Sequence, residues 1–143
     1  MSSLRLAYYD LSPELLQGFR TIKQELEESP LGLALIELVY LRISQINGCA
    51  FCLNKHSQSL RENHETERRL SELAGWRVSG QFTLREKVAL EWAESLTHVV
   101  TTHADDYAYL PLKDHFTDKE IADLTFAIAL MNGMNRLAIG MRQ

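Results

Sequence analysis

The stretch from Leu31 to about Ile46 constrains the fold more than any other part of this chain. Leu33, Leu35, Ile36, Leu38, Val39, Leu41, Ile43 and Ile46 show no sustained period-two alternation, and at about 100° per residue they cover most of a helix's circumference. A helix apolar on nearly every side belongs in the middle of other helices, and Asn47-Gly48 ends it. Elsewhere strand signals are scarce, while helix caps recur. Ser12-Pro13 opens a helix expected to reach about Glu28, and Ser29-Pro30 repeats the device ahead of the central helix. A third helix is expected from near Cys49 to about Glu62, and a shorter one from about Glu65 to Leu73 before the Gly75-Trp76 break. Thr83-Leu84-Arg85-Glu86 is a capping box, followed by Leu84, Val88, Trp92, Leu96 and Val99 as an apolar stripe. A loop with one or two helical turns through Asp105, Tyr107 and Pro111 leads to a second capping box, Thr117-Asp118-Lys119-Glu120. That box opens a long last helix toward Ala138 carrying Ile121, Leu124, Ile128, Met131 and Leu137, with Asn132-Gly133 placed to bend it or allow close helix approach. The expected fold is all-α, a single-domain helical bundle of about six to seven helices over 1-143.

A chain of 143 residues buries a core without disulfides or metal to support it. Its 15 Lys+Arg against 19 Asp+Glu give a formal net charge of -4, and the densest basic stretch, Arg61 to Arg69, is interleaved with Glu62, Glu65 and Glu67. No nucleic-acid surface is expected from that pattern, since phosphate binding calls for a concentrated basic patch. The start, Met1-Ser2-Ser3-Leu4-Arg5-Leu6, lacks the apolar core of a signal peptide, and no stretch has the length of a membrane span. The expectation is a cytoplasmic protein without membrane association. Nothing resembles a Gly-rich phosphate loop, so no nucleotide or flavin cofactor is expected.

The only two cysteines stand together, Cys49-Ala50-Phe51-Cys52-Leu53-Asn54-Lys55-His56. On a helix, Cys49, Cys52 and His56 fall within roughly 60° of one another. In a reducing cytosol such a pair points to catalysis, redox sensing or metal binding rather than a static bridge. A helix N-terminus, a nearby imidazole and a second thiol each favour thiolate chemistry, and a peroxide turns one thiolate into a sulfenic acid that the other condenses with. Glu37 is the lone charged residue between Pro30 and Arg42 on the apolar central helix. Burial there raises a carboxyl pKa toward neutrality and equips Glu37 to pass protons to or from His56 and the thiols. Three plainer readings stay open: Glu37 exposed on a narrow polar edge with Gln45; the pair as inert core thiols; and Cys49, Cys52, His56 and Glu37 as a zinc set. Trp92 reads as core and Trp76 as a gap filler. His64, His98, His103 and His115 read as surface or capping residues, and Asn132, Asn135 and Arg136 as caps or hydrogen bonds across a subunit boundary.

The spacing Glu37-x11-Cys49-x2-Cys52-x3-His56, inside Gln45-Ile46-Asn47-Gly48-Cys49-Ala50-Phe51-Cys52, resembles the alkylhydroperoxidase D (AhpD)-like branch of the carboxymuconolactone decarboxylase superfamily. The resemblance continues in Arg85 to Glu94 and in Asn132-Gly133-Met134-Asn135-Arg136-Leu137, and so covers most of the chain from about Leu31. It implies an all-helical homotrimer or hexamer and an antioxidant peroxidase acting on hydroperoxides, with no cofactor and no metal. Cys52 would attack the peroxide, Cys49 would resolve the sulfenic acid, and His56 with Glu37 would move protons. Electrons would come from a dithiol: a lipoyl group, a thioredoxin-like protein or a small thiol. Some members carry a histidine between the cysteines; Phe51 here removes that relay and would instead shape an apolar entrance. Helix-dipole reasoning alone favours Cys49 as the lower-pKa, more exposed thiol. The two views meet if Cys49 exchanges with the reductant while His56 activates Cys52. Lactone decarboxylation does not depend on a cysteine pair, and the pair disfavours it. The alternative is a noncatalytic helical oligomer that senses oxidant or binds a ligand or metal.

Overall fold

The structure is a computed structural model that describes residues 3–143; Met1 and Ser2, with which the N-terminal reading began, lie outside the described residues. Among these residues every regular element is helical. The α-helices are α1 Tyr8–Leu11, α2 Pro13–Glu27, α3 Leu33–Asn47, α4 Ala50–Glu62, α5 Glu67–Glu72, α6 Leu84–Thr97, α7 Val99–Thr102, α8 Asp106–Tyr109 and α9 Asp118–Met141. Two 3₁₀ turns, Leu73–Gly75 and Leu110–Asp114, complete the path.

Helix α3 is the axis of the molecule, packed on α4, α6 and α9. Leu35, Ile36, Val39, Tyr40 and Ile43 feed one apolar cluster with α6 and α9. Leu38 and Leu41 feed a second, with Leu60, Leu70, Leu73, Trp76, Phe82 and Leu90. Burial on two sides is what the apolar circumference requires, and each such side chain contributes roughly 1.5–3 kcal/mol. Both capping boxes form: Thr83 with Glu86 on α6, and Thr117 with Glu120 on α9. Helix α9 runs unbroken through Asn132-Gly133, so the glycine does not bend it; a Cβ there would meet the Phe19 ring at 3.4 Å, an ordinary contact distance.

Three local expectations are corrected. Ser29 does not cap the central helix, which begins at Leu33 behind Gly32 in a positive-φ conformation; the Ser29 hydroxyl donates to Asp123 at 2.6 Å and accepts from the Leu31 N–H, tying the α2–α3 turn to α9. Ser12 holds the N-cap position of α2 without a side-chain cap bond. The stripe from Leu84 to Val99 packs only through its middle: Val88, Trp92 and Leu96 meet the core, whereas Leu84 is 66% and Val99 45% exposed, and Ala89, Leu90 and Ala93 make up the rest of the buried face. An i, i+4, i+8 row drifts about 40° per step around a helix, so its ends leave the core.

Buried or half-buried carboxylates lock the helices together. Glu94 accepts from Arg42 at 2.8 Å, Trp76 at 2.9 Å and Arg77 at 3.0 Å. Glu86 accepts from Arg69, and Asp123 from Ser29 and Lys119. Desolvation pushes each carboxyl up, but the donors outweigh it and hold all three below their ordinary values. A carboxyl depressed in the folded state adds stability above its unfolded pKa, and that stability is lost as pH falls through the depressed folded value. The thermal midpoint should therefore hold from neutral pH to about 5 and fall below about 4. Glu94→Gln should lower it at neutral pH and flatten the acid limb in melts across that range.

Candidate active site at the α3–α4 corner

The cysteines sit where α3 hands over to α4. Gly48 takes a left-handed conformation (φ 70°) that a side chain would strain, and the Gly48 and Cys49 N–H groups donate to the Ser44 carbonyl at 2.9 and 3.1 Å. Cys49 thereby becomes the N-cap of α4, and its Sγ accepts from the Cys52 N–H at 3.3 Å. The sulfurs are joined as a disulfide across Cα atoms 5.3 Å apart, so the structure shows the oxidised state of the pair. Ala138 and Ile139 of α9 pack on the disulfide.

This cover corrects the expectation that Cys49 is the more exposed sulfur: Cys49 is 1% and Cys52 4% exposed. What distinguishes Cys49 is its surroundings. It lines a recess of about 160 Å³ with Gly48, Ala50, Phe51, Ala138, Ile139 and Arg142, and Cys52 does not. Phe51, 43% exposed, stands at the rim as an apolar shoulder.

Glu37 is not on a polar edge. It is 5% exposed and its Oε2 lies 2.7 Å from His56 Nδ1, with His56 3% exposed. Helix α3 supplies the carboxylate and α4 the imidazole one turn beyond Cys52, and residues four apart on a helix are surface neighbours. Two desolvated partners cost more than an apolar pair of similar volume, so stability alone does not explain a buried Glu–His bond. The Tyr40 ring packs on the imidazole, centroids 5.2 Å apart. Lys55, next to His56 in sequence, has its pKa pushed down by desolvation first and then by Lys23 and Arg20, against the pull of Glu37.

A polar ladder braces the corner. Asn47 Nδ2 donates to Asn132 Oδ1 and Asn135 Oδ1, both at 3.0 Å. Asn135 Nδ2 donates to Ser44 Oγ, Asn132 Nδ2 to Thr97 Oγ1, and Arg136 to the Asn132 side chain. Asn132, Asn135 and Arg136, expected as caps or as hydrogen bonds across a subunit boundary, are engaged within one chain. Asn47 was legible only as a helix-end residue and Ser44 carried no reading; their spacing of three, matched by Asn132 and Asn135, is the signal that could have paired them. Asn135→Leu leaves one buried Asn47 N–H without its acceptor, which costs about 1–3 kcal/mol, while the Ser44 hydroxyl keeps its bond to the Tyr40 carbonyl. Urea unfolding should show that loss for Asn135→Leu and little change for Arg136→Ala, whose side chain is exposed.

With the sulfurs bonded to each other, no group of three or more His, Cys, Asp or Glu placed to hold a metal occurs among the described residues. His64, His98 and His103 are exposed at turns and helix ends, and His115 is half-buried at the end of a 3₁₀ turn. Trp92 and Trp76 are buried, their indoles donating to Thr125 and Glu94. No helix among the described residues is long and apolar enough to cross a membrane.

The profile of the carboxymuconolactone decarboxylase family matches residues 13–95, which carry Glu37, both cysteines and His56. The chain is 32% identical over 139 residues to the uncharacterized protein YdfG of Bacillus subtilis, covering 97% of this chain and 95% of that one. It also resembles a crystal structure from Agrobacterium tumefaciens, a protein of unknown function offered as a candidate antioxidant defence protein AhpD. That match has TM-score 0.94 and 35% identity over 99% of this chain and 97% of that one. A peroxidase-related protein from Silicibacter matches with TM-score 0.84 and 25% identity, over 95% of this chain and 72% of that one. The chain belongs to the carboxymuconolactone decarboxylase family and has its AhpD-like all-α fold.

Proposed function

We propose that the protein is a thiol-dependent peroxidase that reduces alkyl or other hydroperoxides through a Cys49–Cys52 dithiol–disulfide cycle. The observation that carries this reading is the buried Glu37–His56 bond at 2.7 Å one helical turn from a cysteine already paired with its neighbour. A structural disulfide has no use for that proton-handling pair, and a peroxidase has. The names of similar proteins, one a candidate AhpD and one peroxidase-related, agree with it.

In the cycle, Cys52 thiolate attacks the peroxide's outer oxygen, the O–O bond breaks, and the leaving alkoxide takes a proton from His56, which Glu37 orients through Nδ1. Cys49 thiolate then attacks the sulfenic sulfur, water leaves with the remaining proton, and the disulfide closes. A dithiol reductant, whether a lipoyl group, a thioredoxin-like protein or a small thiol, attacks Cys49 from the recess and expels Cys52 thiolate; the reductant's second thiolate then attacks its own sulfur in the mixed disulfide and expels Cys49 thiolate. One hydroperoxide and one external dithiol become one alcohol, one water and one external disulfide. A cytoplasmic homotrimer or hexamer is the expected setting.

The test is steady-state consumption of an alkyl hydroperoxide with dihydrolipoamide as reductant and metal analysis of the same sample. Multiple turnovers without bound metal support the reading. Tight metal retention with no turnover favours the noncatalytic alternative.

A further inference from the structure

Tyr40 is 1% exposed, three residues beyond Glu37 on α3. Helical side chains lean back toward the N-terminus, which carries its ring over the turn bearing Glu37 and against the His56 ring, tilted 54° to it. Its hydroxyl is the single buried side-chain nitrogen or oxygen among the described residues without a hydrogen-bond partner. A phenylalanine would fill the same space and stack on the same imidazole without a stranded hydroxyl, so packing does not account for the oxygen. The carboxylate one turn back uses Oε2 on His56, and its Oε1 bonds no protein group among the described residues and is not sealed from solvent. The charged groups around the phenol are Glu37 on its own helix, Glu27 on α2, with Lys23 paired to Glu27, and Lys55 beside His56 on α4. Burial first, then the fields of Glu37 and Glu27, push the phenol's pKa up, so it stays an O–H donor throughout the working range of a thiol.

We propose that Tyr40 Oη and Glu37 Oε1 share one ordered water, which makes Tyr40 a positioning residue for the Glu37–His56 pair. The inference rests on the proposed role of that pair. The phenol donates to the water and the water donates to the carboxylate. An ordered water bridging two polar atoms is nearly as favourable as a direct hydrogen bond, and it would answer the phenol that no protein group answers. The donor stabilises ionised Glu37, ionised Glu37 stabilises imidazolium at His56, and imidazolium stabilises thiolate at Cys52.

The experiment uses Tyr40→Phe, which keeps the ring and removes only the oxygen. High-resolution crystals of the wild-type protein should show a water within hydrogen-bond distance of Tyr40 Oη and Glu37 Oε1, absent from the variant. In a Cys49→Ser background, the pH midpoint for alkylation of Cys52 by iodoacetamide should move up by about half a unit or more on adding Tyr40→Phe. A dry site in the wild type, or an unmoved midpoint, overturns the proposal; the wild-type crystal decides even if the variant does not fold. Neither readout involves peroxide, so a protein that consumes no peroxide would sink the peroxidase reading and leave this test intact.

Discussion

Cys52→Ser is expected to abolish peroxide consumption, a loss of at least about a thousandfold, while Cys49→Ser consumes one equivalent of peroxide and stops at a sulfenic acid. The asymmetry follows from position. Cys52 is on the first turn of α4, one turn from His56, whereas Cys49 is the N-cap, facing the recess and held by the Cys52 N–H. Only Cys52 has the imidazole one turn away to manage the leaving group's proton. The sulfenic acid of Cys49→Ser should persist, because the partner thiol that would condense with it is gone; trapping with a dimedone probe and mass spectrometry counts it. If instead Cys49→Ser is inert and Cys52→Ser makes the sulfenic acid, the roles of the two sulfurs are reversed.

The second large effect separates function from stability. Glu37→Gln keeps the shape of the side chain and still accepts from His56 Nδ1, but it removes the charge that supports imidazolium. General acid–base assistance contributes about 10²- to 10⁴-fold, and a loss in that range is expected in the rate of peroxide attack. The fold should change little, because the amide keeps the Nδ1 hydrogen bond and leaves no unpaired carboxylate behind. His56→Ala should lose the same activity and also about 3–5 kcal/mol, since it leaves the Glu37 charge buried without its partner. For a domain of this size that is a fall in melting temperature on the order of 10 °C. Stopped-flow peroxide consumption and thermal melts on both variants check the pair of outcomes. A fully active Glu37→Gln would remove the carboxylate from the mechanism.

The central helix, both capping boxes and the long last helix were legible in the sequence because each rests on local rules: apolar coverage, cap spacing and glycine at a helix end. The site was legible for a different reason. A lone acid on an apolar helix has to be answered, and His56 is the group that answers Glu37. The errors fall where tertiary structure overrides local signals. Ser29 has the composition of an N-cap, but Asp123, far away in sequence, claims its hydroxyl. The stripe on α6 follows the period, but the ends of the row swing away from the core and leave Leu84 exposed, while Ala89, Leu90 and Ala93 beside it are buried. Cys49 reads as exposed from its place at a helix start, and α9 covers it. Tyr40 carried no signal in the sequence, because its lack of a partner is visible only once every neighbour is placed.

The most direct measurement is anaerobic thiol counting on the fully reduced protein before and after one equivalent of alkyl hydroperoxide. The expected result is the loss of both thiols per chain to an intramolecular Cys49–Cys52 disulfide, with one equivalent of alcohol formed. Two thiols still present beside unconsumed peroxide would contradict it.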